Sequence, residues 1–113
     1  MPNANKNKGS KWERDLVEYF RSRGYLKVQR RYGAGAQHDT GDLSGINDVV
    51  IEAKDCKKIT LSTFMDETKV ETENAKADFG VCIIKRARKP VSQAYVVVPL
   101  EDFVTLLANA NYK

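Results

Sequence analysis

Asp48-Val49-Val50-Ile51-Glu52-Ala53-Lys54 is the stretch on which the fold turns. Three consecutive β-branched residues argue for a buried strand, and the run then opens into a polar end. Side chains alternate between faces along a strand. Val49, Ile51 and Ala53 therefore cover one face, while Val50, Glu52 and Lys54 project from the other. Charged groups at the end of a buried strand need compensation, because a carboxylate or ammonium buried without a partner is costly. A Glu52–Lys54 ion pair at the strand end meets that need and implies no function. Asp42 opens a second reading. It lies ten residues before Glu52, directly after Gly41, and a hairpin or tight bend between them brings its carboxylate beside Glu52.

Working outward, residues 1–9 are polar, basic and aperiodic, and read as a flexible arm ahead of a single domain at 10–113. Ser10-Lys-Trp-Glu13 has the form of a capping box and predicts a helix from Ser10, with Trp12, Leu16, Tyr19 and Phe20 as its apolar stripe and Gly24 as its stop. Leu26 to Arg31 reads as a strand, followed by a glycine-rich loop from Tyr32 to Gly41. Thr60 or Ser62 starts a second helix running to about Ala77, which is only weakly amphipathic, with Phe64, Thr68, Glu71 and Ala75 on one face. Gly80–Ile84 and Ala94–Val98 are further strands, and Leu100–Ala108 closes the chain as a short helix. Strands and helices in this order predict an α/β fold, a mixed sheet flanked by helices.

The chain has 113 residues, 42% of them hydrophobic, which is one domain with enough apolar surface for its own core. No apolar run is long enough to span a bilayer, and no apolar segment follows the lysines of the first residues, so the expectation is a cytoplasmic protein without a membrane partner. Cys56 and Cys82 lack the clustering of a zinc site and read as free thiols, with a single bridge left open. Nineteen Lys and Arg against 15 Asp and Glu give a net charge of +4, weak in total but concentrated in places.

Glu13 falls at the edge of the first helix's apolar stripe, so its carboxylate can point to the margin of the sheet, although a capping role alone also accounts for it. Carboxylates that converge repel one another, by ~4 kcal/mol for a pair about 4 Å apart at a protein-like dielectric. A divalent cation relieves this. Oxygen-only ligands favour a hard ion, Mg²⁺ or Mn²⁺, which polarises a phosphoryl oxygen and activates bound water. Lys54 then stabilises the charge on a pentacovalent phosphorus or orients the attacking water.

At these residues the sequence resembles the PD-(D/E)xK nuclease superfamily, and within it the Holliday-junction resolvases, both the small archaeal enzymes and similar short phage resolvases. The resemblance is carried by Lys8-Gly-Ser-Lys-Trp-Glu13, Arg30-Arg31, Gly41-Asp42-Leu-Ser-Gly45, Val49-Val-Ile-Glu-Ala-Lys54, Asn74-Ala-Lys-Ala-Asp78, and Gly80-Val with Lys85-Arg86. It implies a restriction-endonuclease-like fold and a metal-dependent, structure-selective endonuclease that cuts phosphodiester bonds at four-way DNA junctions. In this reading Asp42, Glu52 and Glu13 are metal ligands, and Lys54 is the catalytic lysine. It also implies a homodimer, whose two-fold axis suits a nearly two-fold junction. The first motif departs from the pattern: Gly-Asp stands where the superfamily has Pro-Asp.

Arg30 and Arg31, the cluster Lys85, Arg86, Arg88 and Lys89, and the N-terminal Lys6, Lys8 and Lys11 are the candidate contacts to DNA phosphates, although solvated surface charge accounts for any one of them alone. His38-Asp39 is a weaker candidate for DNA contact or water positioning, and Glu67 and Glu71 are candidates to join the acidic group. Trp12, Tyr19 and Phe64 read as core or interface residues. Another nuclease of the same fold, nicking or restriction-like, and a DNA-binding protein without catalysis are the competing readings.

Overall fold

The computed structural model describes residues 4–31 and 39–113. In chain order the elements are α1 (Ala4–Ser22), β1 (Gln29–Arg30), β2 (Leu43–Ser44), β3 (Val49–Lys54), α2 (Leu61–Ala75), β4 (Phe79–Ile84), a 3-10 turn (Val91–Gln93), β5 (Tyr95–Val97) and α3 (Leu100–Asn109). The five strands form one sheet in sequence order. Pairings β1–β2, β2–β3 and β4–β5 are antiparallel. Among the described residues only β3 and β4 run parallel, with Glu52 opposite Cys82 and Lys54 opposite Ile84. A parallel neighbour needs a long crossover, and α2 supplies it. This is the mixed, helix-flanked α/β sheet expected of a restriction-endonuclease-like fold.

The alternation along β3 sorts the core. Ile51 packs with Trp12, Leu16, Val17, Val28, Leu43 and Ile83 under α1, and Val49 and Ala53 border the same cluster. Trp12 is almost fully buried and its indole N–H donates to the Ile83 carbonyl at 3.2 Å, so it is a core residue with its polar atom satisfied. On the other face Phe64 of α2 packs with Cys82 and Ile84. Gly80 lets α2 sit close on that face, because a Cβ there would run into the Thr72 hydroxyl. Both cysteines are free, Cys82 buried and Cys56 exposed.

Three expectations about local structure change. α1 begins at Ala4, so residues 4–9, expected as an arm, are helical, and Ser10 lies inside the helix and is not its cap. The capping box therefore does not form; Ser10 and Glu13 both hold Arg30 instead. The end of α1 is as expected. Tyr25 N–H donates to the Phe20 carbonyl and Gly24 N–H to that of Arg21, with Gly24 at φ +100°, the pattern of a glycine-terminated helix. That turn consumes the residues expected to open the next strand, so β1 shrinks to Gln29–Arg30 and Leu26 is exposed. Finally, α3 forms where the apolar spacing predicts, but it has no buried residue: Leu100, Phe103, Val104 and Leu106 are all exposed.

Candidate active site at the end of β3

The strand end is built by its neighbours. Asp42, just before β2, is pinned on three sides. Its N–H donates to the Ile51 carbonyl at 2.9 Å, its carbonyl accepts from Arg31 N–H at 2.8 Å, and its Oδ2 accepts from Ala53 N–H at 2.9 Å. The residue before it explains the departure from Pro-Asp. Gly41 has φ +103°, and its missing Cβ would lie 2.9 Å from Val50 Cγ1. Proline, locked near φ −65°, cannot take that conformation. The bend that delivers Asp42 is thus a left-handed glycine turn packed against β3, not a proline turn.

Glu52 is 6% exposed, on the α2 face with Lys54. Burial, together with the neighbouring Glu71 carboxyl, pushes its pKa up to about 9, against a smaller opposing pull from Lys54. Burial and the facing Glu52 likewise raise Asp42 to about 7, opposed by the hydrogen bond from Ala53 and assisted by the charge of Glu13. The Lys54 ammonium lies 3.1 Å from Glu67 Oε2, 3.8 Å from Glu52 Oε2 and 4.9 Å from the centre of the Phe64 ring. Burial pulls the Lys54 pKa down, but the surrounding carboxylates outweigh it and the net shift is upward, so this lysine is a fixed cation at the site.

Glu13 projects from α1 near enough to Asp42 for its charge to be felt there, and its Oε1 accepts from Arg30 Nε at 3.0 Å. Arg30 also donates to Ser10 at 3.1 Å. The fourth side comes from α2 and the end of the glycine-rich loop. Glu71 is 4% exposed, its Oε2 is buried without a hydrogen-bond partner, and burial raises its pKa to about 6. Asp39, Glu52 and Glu71 each offer an oxygen such that all three lie within 4.8 Å of one another. Asp39 is held in place by the Asn74 side chain, which donates to its carbonyl at 2.9 Å, and by Gly41 N–H, which donates to its Oδ1 at 2.9 Å. Asp42, Glu52 and Lys54 thus meet at the end of β3, with Glu13 on the α1 side and Glu71 and Asp39 on the α2 side. The donor set is all oxygen and carries more negative charge than Lys54 balances; these residues fit a hard divalent cation.

The basic candidates divide. Lys8 and Lys85 lie 3.4 and 3.8 Å from the two oxygens of Asp55, one residue past Lys54. Together with Lys57, Arg86 and Lys89 they line a groove of about 460 Å³ next to the strand end. Arg86 stacks over the Tyr95 ring at 4.8 Å, and Arg88 and Lys89 are exposed in the following turn. Arg31 is exposed beside Asp42. Lys11 turns to Asp15, 2.9 Å away on its own helix. His38 lies outside the described residues, as does the side chain of Lys6. Three contributors escape the sequence: Asp55 as the organiser of two lysines, Asn74 as the holder of Asp39, and Asp39 itself as a member of the acidic group. A signal for Glu71 was there, a carboxylate spaced with Phe64 and Thr68 on the buried face of a helix.

A parallel strand pair with a carboxylate–lysine end, an aspartate delivered from the preceding bend and helices on both faces define a PD-(D/E)xK-type nuclease domain. A family model described as archaeal Holliday junction resolvase (Hjc) matches residues 4–104, and the chain belongs to that family. Searches of curated proteins and of solved structures gave no significant match. Among the described residues no helix is long and apolar enough to cross a membrane.

Proposed function

We propose that the protein is a Mg²⁺- or Mn²⁺-dependent endonuclease that cleaves phosphodiester bonds at four-way DNA junctions, acting as a homodimer in the cytoplasm. The observation that carries this reading is the meeting of Asp42, Glu52 and Lys54 at the end of β3 in a chain of the resolvase family. Asp42 and Glu52 hold the ion, with Glu13 on its α1 side. When bound, such an ion polarises the scissile phosphate and lowers the pKa of attacking water. The chain's own residues do the rest. Ala53 N–H fixes Asp42 Oδ2, so that carboxylate keeps its other oxygen for ligation. Lys54 sets a permanent positive charge beside the carboxylates and stabilises the negative charge that grows on phosphorus. Arg30 orients Glu13, keeping its carboxylate toward the site.

The groove lined by Lys8, Lys85, Arg86 and Lys89, flanked by Arg88, grips backbone phosphates on one side of the strand end. Arg30 and Arg31 do so on the other, with Lys11 extending the grip along α1. These contacts bind DNA without reading its sequence. The uncovered apolar residues of α3, together with Tyr95 and Val96 exposed on the edge strand β5, support pairing of two copies. The test is cleavage of synthetic four-way junctions and linear duplexes with Mg²⁺ and with EDTA. Selective cutting of junctions that stops in EDTA is expected. Equal cutting of all substrates removes the junction reading, and cutting that survives EDTA removes the metal.

A further inference from the structure

The acidic group on the α2 side has more ligating capacity than a single ion beside Asp42 uses. Glu71 is 4% exposed, and its Oε2 is buried with no hydrogen bond, although burying a polar atom unpaired costs about 1–3 kcal/mol. Ordinary helix design would put such a glutamate on the solvent face. Here it lies on the face that carries Phe64 and Thr68 into the sheet, one turn before Asn74. Asn74 in turn donates to the Asp39 backbone, which brings a loop carboxylate to Glu71. Oxygens of Asp39, Glu52 and Glu71 lie within 4.8 Å of one another. Oxygens on opposite sides of a Mg²⁺ ion are ~4.2 Å apart and those around Ca²⁺ up to about 5 Å, from metal–oxygen distances of about 2.1 and 2.3–2.6 Å. The upper bound of 4.8 Å fits within the Ca²⁺ sphere as it stands and exceeds the Mg²⁺ span by about 0.6 Å.

We propose that Asp39, Glu52 and Glu71 bind a second divalent cation, held against α2, and that Glu52 is shared between this ion and the one beside Asp42. The sharing rests on the active-site reading above; the new site itself rests on Asp39 and Glu71, which that reading does not use. Asn74 and Gly41 are positioning residues, because they fix Asp39 through its carbonyl and its Oδ1. Neither need touch the ion.

The experiment is titration of the full chain with Mn²⁺ and no DNA, reading free ion by electron paramagnetic resonance and thermal midpoint by circular dichroism. Wild type, Glu71→Gln, Asp39→Asn and Asp42→Asn are compared, each shown to be folded in EDTA. Wild type is expected to take up two ions per chain. Glu71→Gln and Asp39→Asn are each expected to lose one of them, or to bind it at least 10-fold more weakly, with a smaller Mn²⁺-induced rise in midpoint. Asp42→Asn is expected to lose the other. If Glu71→Gln and Asp39→Asn keep the wild-type ion count and affinity, the second site is overturned, and Glu71 then only shares a proton with Glu52. If in that case Asp42→Asn still loses its ion, the active-site reading survives alone. A single ion lost equally in all three variants also overturns the proposal, since one shared position would then account for every ligand.

Discussion

The two faces of β3 are made by the same six residues and behave as opposites. Under α1, Ile51 meets Trp12, Leu16 and Leu43 in a sealed apolar layer whose one buried indole N–H is satisfied. Under α2, Glu52 and Lys54 are surrounded by Asp42, Glu67 and Glu71, and the buried apolar cluster is a small one of Phe64, Cys82 and Ile84 bordered by Met65 and Val97. One face holds the domain together and the other gathers carboxyl groups whose charged form burial opposes. The difference teaches why α2 is so weakly amphipathic: its inward face is spent on threonine and glutamate, and the α1 layer must bear the stability that this arrangement forgoes.

The comparison can be broken most sharply by exchanging single groups on each face. Asp42→Asn keeps the shape of the bend but removes a charge from the site. It is expected to lower junction cleavage by ~10³-fold or more, about 4 kcal/mol in the barrier, while junction binding and the denaturation midpoint hold. An unaltered rate in a single-turnover assay would exclude Asp42 from the chemistry. Trp12→Ala on the opposite face should do the reverse. It is expected to cost ~3–5 kcal/mol in urea unfolding through the cavity it leaves, with cleavage by the remaining folded fraction preserved.

A pH series sharpens the contrast. Glu52 and Asp42 have folded pKa values of about 9 and about 7, above their ordinary 4.5 and 3.8. Groups raised in the fold lend stability that is complete below their unfolded pKa and is lost as pH climbs through the folded one. In EDTA the protein should therefore be more stable at pH 5 than at pH 8, by ~3 kcal/mol after discounting for coupling between the carboxyls. Glu52→Gln should flatten this slope and Mg²⁺ should reduce it; a Trp12 variant should keep it. An EDTA stability curve that rises from pH 5 to 8 would contradict the buried, proton-holding state of the α2 face.

The smallest effect concerns the groove. Lys85→Ala is expected to weaken junction binding several-fold and to make the slope of log affinity against log salt shallower by about 0.9, without changing the pH series. A shift confined to the salt slope places Lys85 on phosphate; a shift in stability alone would leave it as a partner of Asp55.

Much of this contrast was legible in residues 48–54, because strand alternation is a local rule that tertiary packing here obeyed. The approach of Asp42 to Glu52 was legible for a related reason: a glycine before an aspartate so close to a strand leaves a bend as the short way back. The start of α1 was not. Ser10 and Glu13 match a capping signature, but both side chains were claimed by Arg30, a partner 17 residues beyond Glu13 that no local pattern announces. Leu26 looked like a strand residue until the helix-ending turn at Gly24 took up its segment. Asp39 and Asn74 are separated by 35 residues and meet only because α2 crosses over the sheet, so their pairing belongs to topology. α3 was correctly placed as an element, and its apolar residues are left uncovered by the fold of one chain.

Cys82 pairs with Glu52 across the parallel strands, is wholly buried, and has a thiol pushed up to about 12 by burial and the neighbouring negative charge. Such a sulfur is neither reachable nor nucleophilic while α2 stays in place. Cys56, exposed on the loop beyond β3, offers an accessible thiol in the same molecule. The protein therefore carries a paired chemical clock. Alkylation at Cys56 marks the time of exposure to reagent, and alkylation at Cys82 counts the moments when the helix lifts from the Glu52 face of the sheet, so that anything that steadies α2 becomes visible as a slowing of one label against the other.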